Sequence, residues 1–344
     1  MYTSAVETFP SDGVGRVSEK FYETAGRLLA LETDAEWAAR FADSYLSGVH
    51  LAPARPDAAR TVDLRITLST RPAPTLPSNL DTFAVPGGIC YTDARSYFLE
   101  VCGSRIDVAA REEARVTVWL GATDTARRTN ALITVIAYAL PAALRRCGLY
   151  DLHAGGMVEP KSGAGFLFPG ASESGKTSLA VRLGAAGWGF MSDDQLLVSD
   201  GHEGIEVRGL RRPFQTSAAA LAGCRLPRLE DALGARIPND PDKRKLDPEV
   251  LFPGQYAPRA RARVLCFPSV TGERESRLVE ARPADVMSRL IMMCPWSSYD
   301  LSAAREHLGL LSRLVKQCRA YTLHAGRDIF DDPSAASRLL AACV

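Results

Sequence analysis

The sequence predicts a two-part α/β (α+β) protein, with a smaller α+β domain preceding a larger domain in which strands and helices alternate. Three observations carry this. The run Gly170-Ala171-Ser172-Glu173-Ser174-Gly175-Lys176-Thr177 fits the pattern G-x-x-x-x-G-K-[ST] at every fixed position. It is flanked by the apolar run Gly165 to Phe168, which reads as a short buried strand, and by Lys176 to Ala186, which reads as a helix. In the N-terminal half, Val62 to Leu68 alternates apolar and polar residues as a half-exposed strand does. The 344 residues, 46% hydrophobic and 24% charged, suffice for two domains and a large core.

Residues 1–125 read as one α+β scaffold or recognition domain. Phe21 to Leu31 and Thr33 to Ser47 are expected to be helices, the second opened by the capping box Thr33-Asp34-Ala35-Glu36. After a loop from Leu51 to Asp57 comes the Val62 strand, then a proline-rich loop from Arg71 to Asn79. Tyr97 to Val101, Arg105 to Val108 and Arg115 to Leu120 read as strands of an antiparallel meander. A helix from Asp124 to Arg146 connects the halves (residues 126–148). Its apolar stretch Ala131 to Leu144 falls short of the ~20 residues a membrane span needs. It carries Pro141, ends at Arg145-Arg146 and is closed by Gly148, so it reads as a buried helix.

The second domain is assigned to residues 149–344. In it, Leu179 and Leu183 mark the buried face of the helix after the glycine-rich run, and Gly187 its stop. Arg225 to Arg259 carries six prolines and the run Asp242-Lys243-Arg244-Lys245. It reads as a long irregular loop unable to order itself alone, mobile and able to close over a ligand. A strand at Val264 to Phe267, helices at Pro283 to Met293 and Leu301 to Gln317, a strand at Ala320 to Leu323 and a terminal helix follow.

A formal net charge of +1 argues against general affinity for nucleic acid or an anionic membrane. Met1 to Arg16 is polar and broken by Pro10 and Gly13, unlike a signal peptide. The eight cysteines form no C-x-x-C pair and no zinc-spaced cluster. They read as reduced, mostly buried thiols of a cytoplasmic protein.

The chemistry of the glycine-rich run is that of a phosphate-binding loop. Its backbone N–H groups turn inward on phosphate oxygens at a helix N-terminus. Lys176 can reach the β and γ phosphates, and the Thr177 hydroxyl can ligate Mg²⁺. Asp193-Asp194 ends the apolar segment Phe190-Met191-Ser192 just beyond the loop's helix. A Mg²⁺-nucleotide site needs a carboxylate for the metal, and a kinase needs one to accept the proton of the attacking hydroxyl. No Asn-Lys-x-Asp base-reading motif and no Leu-Ser-Gly-Gly-Gln signature occurs, which argues against translation-type GTPases and transporter ATPases.

On these residues the chain resembles the HPr kinase/phosphorylase family, whose catalytic domain is similar to the nucleotide-binding part of phosphoenolpyruvate carboxykinase. His153 in Leu152-His153-Ala154-Gly155 lies where that family carries a histidine. Asp193-Asp194 follow Lys176 by 17 and 18 positions, and Glu206-Val207-Arg208-Gly209 resembles its Glu-Ile-Arg-Gly stretch. The likeness spans about Leu149 to Arg212 and loosens towards the C-terminus. The N-terminal half is unlike that of the regulatory HPr enzymes and looks more like divergent relatives from peptide-modification gene clusters.

The resemblance implies a kinase using ATP and Mg²⁺, with a serine of a protein or peptide as acceptor. Residues from Gly170 through Lys176 and Thr177 to Ser178 would hold the phosphates. Asp193 and Asp194 would provide the base and a metal contact, with Asp193 favoured as base and Asp194 as metal contact, though the choice stays open. His153 would contact the phosphate region, and Glu206 would be a second metal contact. Arg211, Arg212, Lys243, Arg244 and Lys245 are candidates for gripping phosphate or an acidic substrate. Glu173 departs from the small residue usual at its place, and the signature loop for phosphorolysis is not recognisable. A small-metabolite kinase and a nucleotide-binding regulator of little turnover remain alternatives, and a homo-oligomer is left open.

Overall fold

The segment expected to be a helix at Phe21 to Leu31 is instead a β-hairpin. In the computed structural model, which describes residues 18–47, 51–55, 60–93, 95–121, 125–210, 213–221, 226–237 and 240–344, β1 (Ser18–Thr24) pairs antiparallel with β2 (Arg27–Thr33). The two-residue turn Ala25-Gly26 has φ of 51° and 76°, the left-handed pair that matches strand twist in a tight hairpin. Leucine and alanine favour helix locally, but Leu28 to Leu31 are at most 3% exposed, buried as a central strand. Tertiary burial overrides propensity here.

The chain divides into two units, Met1–Ser47, Leu51–Gly148 and Ser298–Ala304 forming the first, and Gly48–His50, Leu149–Ser297 and Arg305–Val344 the second. The first continues with α1 (Glu36–Ser47), β3 (Ala52–Ala54), β4 (Leu64–Ser69), β5 (Asp81–Val85), β6 (Gly88–Thr92), β7 (Tyr97–Val101), β8 (Ser104–Val108), β9 (Arg115–Trp119) and α2 (Thr125–Arg146). Its described strands form one mixed sheet in the order β3-β1-β2-β4-β9-β8-β7-β6-β5. The meander expected from β7 to β9 is present and extends back through β6 and β5. β4, however, runs parallel to both β2 and β9. Thr33 Oγ1 accepts from the Ala35 amide, and Asp34 ties α1 to the end of β4 by accepting from Ser69 Oγ and the Thr70 amide.

Helix α2 buries Leu132, Val135, Ile136, Ala139, Leu140, Ala143 and Leu144, a 3,4-spaced stripe, against β4, β8 and β9. Among the described residues no helix is long and apolar enough to cross a membrane. The helix ends in a buried charge cluster within the first unit. Arg145 Nε and Arg146 Nη1 donate to Asp300 at 2.9 and 2.7 Å, and Arg145 Nη2 donates to Tyr97 Oη. Removing the Asp300 carboxylate takes from both buried guanidinium groups the acceptor they share. Asp300→Ala is therefore expected to destabilise by about 3–5 kcal/mol, read as a fall in the urea midpoint. A loss under about 1 kcal/mol, the value of an exposed pair, would show that water reaches the cluster.

The second unit is α+β and built on mixed sheets. Its elements are β10 (Tyr150–Val158), β11 (Gly165–Pro169), α3 (Lys176–Ala185), β12 (Gly189–Ser192), β13 (Gln195–Gly201), β14 (Gly204–Gly209) and β15 (Phe214–Ser217). Next come α4 (Ala218–Leu221), α5 (Leu229–Ala232), β16 (Leu233–Ile237), β17 (Asp240–Leu246), α6 (Pro248–Leu251) and β18 (Ala260–Val270). β19 (Arg277–Glu280), α7 (Pro283–Met292), α8 (Leu301–Gln317), β20 (Arg319–Ala325), α9 (Asp328–Asp331) and α10 (Pro333–Ala341) complete it, with α8 counted here from Arg305. β11 lies between antiparallel β10 and parallel β18, and β18 continues parallel to β20. β10 is shared: Tyr150 to His153 pair with β13, and Ala154 to Val158 with β11.

Arg225 to Arg259 is not the irregular loop expected. Apart from Arg225 and residues 238–239, which lie outside the described residues, it folds into α5, β16, β17 and α6, and β17 pairs with both β15 and β16. Pro248 opens α6 behind the capping Asp247. Ala232, Leu246, Leu251 and Phe252 are buried in one core with Phe166, Phe168, Leu179, Leu183, Trp188 and Phe190. That burial supplies the apolar surface that orders the stretch. The described cysteines are free thiols, five of them buried, Cys102 exposed and Cys147 intermediate, while Cys224 lies outside the described residues.

Candidate active site

The glycine-rich run leaves the end of β11 and enters α3, as the strand–loop–helix reading requires. Gly175 precedes the helix at φ 98°. A Cβ on Gly170 would come within 2.6 Å of Ser174 Oγ, so the loop closes tightly only with glycine there. Ser174 Oγ is buried with no hydrogen-bond partner among the described residues. Glu173 sits in the left-handed region at φ 67°, a conformation costing a non-glycine residue about 1–2 kcal/mol. Its side chain is exposed.

Lys176 is 6% exposed and donates to the carbonyls of Gly170 (2.7 Å) and Ala171 (2.9 Å). Burial pushes its ammonium below the ordinary lysine range, against the pull of Asp194 and Asp193. Its Nζ lies 3.3 Å from His153 Nε2 and 3.7 Å from Asp194 Oδ1. His153 Nδ1 is 3.4 Å from the same Asp194 oxygen. An ammonium can only donate, so in this contact Nε2 is the accepting atom, and Nδ1 is the ring nitrogen on the side of Asp194.

β12 ends at the acid pair, and the two carboxylates occupy different surroundings. Asp193 is 1% exposed. Its Oδ2 accepts from Thr177 Oγ1 (2.9 Å) and from the Gln215 amide of β15 (3.0 Å). Asp194, with its side chain 26% exposed, faces Lys176 and His153. Both line a cleft of ≈ 690 Å³ with His153, Ser172, Glu173, Gly175, Lys176, Thr177, Ser178, Arg182, Gln215, Asp240, Asp242 and Lys243.

The structure does not bring every sequence candidate to this cleft. Glu206 of β14 is absent from the described lining and pairs instead with Arg208 (3.3 Å) and Arg259 (4.0 Å). Arg211 and Arg212 lie outside the described residues. Of the basic run, Lys243 lines the cleft and pairs with Asp240 at 2.9 Å. That partner holds the Lys243 ammonium above the ordinary lysine range, with Glu173 and Asp194 adding to it. Arg244 lines a neighbouring cavity, because successive residues of β17 face opposite sides. Lys245 is exposed and lines neither.

Four contributors were not legible in the sequence. Gln215 acts through its backbone amide, which leaves no side-chain signature. Asp240 and Asp242 stand in the stretch read as a loop. Arg182 of α3 is 1% exposed, donates to the carbonyls of Ser178, Ala220 and Phe330, and lies 4.8 Å over the Phe330 ring. It braces the cleft wall by satisfying carbonyls of three segments. Only its place one turn after Ser178 hinted at this.

The donor set suits a hard divalent cation. Thr177 and Asp193 offer a hydroxyl and a carboxylate oxygen side by side at the N-terminus of α3. The cleft also carries an acidic excess, Glu173, Asp193, Asp194, Asp240 and Asp242 against Lys176, Arg182 and Lys243. In comparison with known proteins, the chain matches no family model and no curated relative.

Proposed function

We propose that the second unit is an ATP-dependent kinase of the HPr-kinase-like kind, transferring the γ-phosphoryl group to a hydroxyl, in the first instance a serine of a protein or peptide. The observation that carries the reading is the Thr177–Asp193 contact beside Lys176. A phosphate-loop hydroxyl bonded to a strand-end carboxylate is the pairing that holds Mg²⁺ in phosphate-loop enzymes. The sequence favours Asp193 as the base; these contacts favour the opposite division. Asp193, buried and held by two donors, suits the metal shell. Asp194, more exposed and backed by His153, suits proton acceptance.

Each residue has its own task. The loop amides and Lys176 bind the β and γ phosphates. Thr177 and Asp193 would hold Mg²⁺, which when bound would supply positive charge to the phosphate oxygens. The Asp194 carboxylate takes the proton of the acceptor hydroxyl. The acceptor oxygen then bonds the γ-phosphorus as the bond from that phosphorus to the β–γ bridging oxygen breaks, and ADP leaves with the electron pair. His153, with Nδ1 on the side of Asp194, orients that carboxylate. The acidic excess predicts that nucleotide binds only with its metal. Chelation by EDTA should weaken ATP binding by roughly tenfold or more, about 1.4 kcal/mol, in calorimetric titration. Incubation of the full chain with γ-labelled ATP and serine peptides tests transfer. Undiminished binding in EDTA, or no transfer to any hydroxyl acceptor, would remove the assignment.

A further inference from the structure

Two arginines face each other across the small sheet of the second unit. Arg236 of β16 stands directly opposite Arg244 of β17, and Arg244 directly opposite Thr216 of β15. Like charges at directly opposite positions repel. The register slips on both sides of the arginine pair, yet the pair itself is kept. Arg244 Nε donates to the Gly234 carbonyl (3.1 Å), and among the described residues no carboxylate forms an ion pair with either guanidinium. Both line a cavity of ≈ 450 Å³ with Thr216, Leu221, Leu229 and Leu233. Ser217 and Asp242 line this cavity and the phosphate cleft alike, so the two adjoin.

We propose that this cavity is an acceptor subsite taking a glutamate or aspartate side chain, with its apolar neighbour, from an acidic peptide segment. Guanidinium forks match a carboxylate in bidentate geometry, and a bound carboxylate relieves the repulsion across the sheet. The leucines set the remaining chemistry: a small inorganic anion has no use for an apolar wall, whereas a peptide residue beside the acid does. The subsite rests on the kinase reading above, since it positions the acceptor beside the transfer cleft.

The test is made by binding, so that its failure is separate from failure of transfer. Two fluorescein-labelled octapeptide pools, each containing serine, carry a central Glu-Leu or a central Gln-Leu pair. Fluorescence anisotropy with the full chain at low salt should show the Glu-Leu pool bound roughly tenfold tighter, about 1.4 kcal/mol. The preference should persist in Lys176→Ala, which impairs the phosphate cleft but leaves both guanidinium groups of the subsite in place. It should vanish in the Arg236→Gln, Arg244→Gln double variant, with circular dichroism verifying the fold. Arg244→Lys, which keeps the charge but loses the fork, should retain part of it and serves if the double variant fails to fold. Equal binding of the two pools by the wild type overturns the proposal, as does a preference surviving loss of both guanidinium groups. Displacement of the Glu-Leu pool by an equal concentration of inorganic phosphate would mark a simple anion site and overturn the peptide assignment.

Discussion

Lys176→Ala is expected to lower phosphoryl transfer by roughly 10²–10³-fold, as loss of one major electrostatic contact to the transferring group does. The ammonium is buried at the mouth of the loop and already bonded to Gly170 O and Ala171 O. It can therefore follow the γ-phosphate without reorganising the loop. Rapid-quench measurement with labelled ATP reads the effect, and unchanged turnover would exclude the kinase reading. The same variant carries a stability signature. Burial holds Lys176 below the ordinary lysine value of 10.5, so the unfolded chain binds this proton more tightly than the folded one. The charged form costs stability at neutral pH, and the cost fades as pH rises through the depressed value towards 10.5. The wild type should thus gain stability relative to Lys176→Ala over that alkaline window, read from urea midpoints. A flat difference would mean the ammonium is well solvated.

Asp194→Asn is expected to abolish the proton acceptor while sparing metal and nucleotide, lowering transfer by roughly 10²–10⁴-fold, the worth of a general base. Asp193→Asn should act differently. It removes the carboxylate that Thr177 Oγ1 and the Gln215 amide hold in place, so the Mg²⁺ dependence should shift to higher concentration and ATP binding should weaken with it. Titrating Mg²⁺ against both variants separates the roles. The reverse outcome, with metal affinity lost in Asp194→Asn alone, would restore Asp193 as the base. Wild-type behaviour in both would leave the pair with a structural role only.

Much of the site was legible because its chemistry is local. The run from Gly170 to Thr177, the strand before it and the helix after it are contiguous, so spacing alone specified the turn, the charge and the hydroxyl. Asp193-Asp194 were legible for the same reason, one helix and one short strand later. The strands β7, β8 and β9 and the buried helix α2 were legible as local segments, the helix from its apolar stretch Ala131 to Leu144 closed by Gly148.

What the sequence could not convey depended on partners distant along the chain. Leu28 to Leu31 form a strand because neighbours on both sides bury them, although their local propensity is helical. Residues 226–237 and 240–259 are ordered by pairing with β15 and by packing of Leu246 and Phe252 against the core of α3 and β11, surface that no local window contains. The proposed division of labour between Asp193 and Asp194 turns on a hydroxyl sixteen residues earlier and an amide twenty-two residues later. By itself the sequence determined which groups are candidates for the proposed chemistry. Burial and non-local hydrogen bonding decided which carboxylate is held, which stays accessible, that Lys243 alone of the basic run reaches the cleft, and that Glu206 does not.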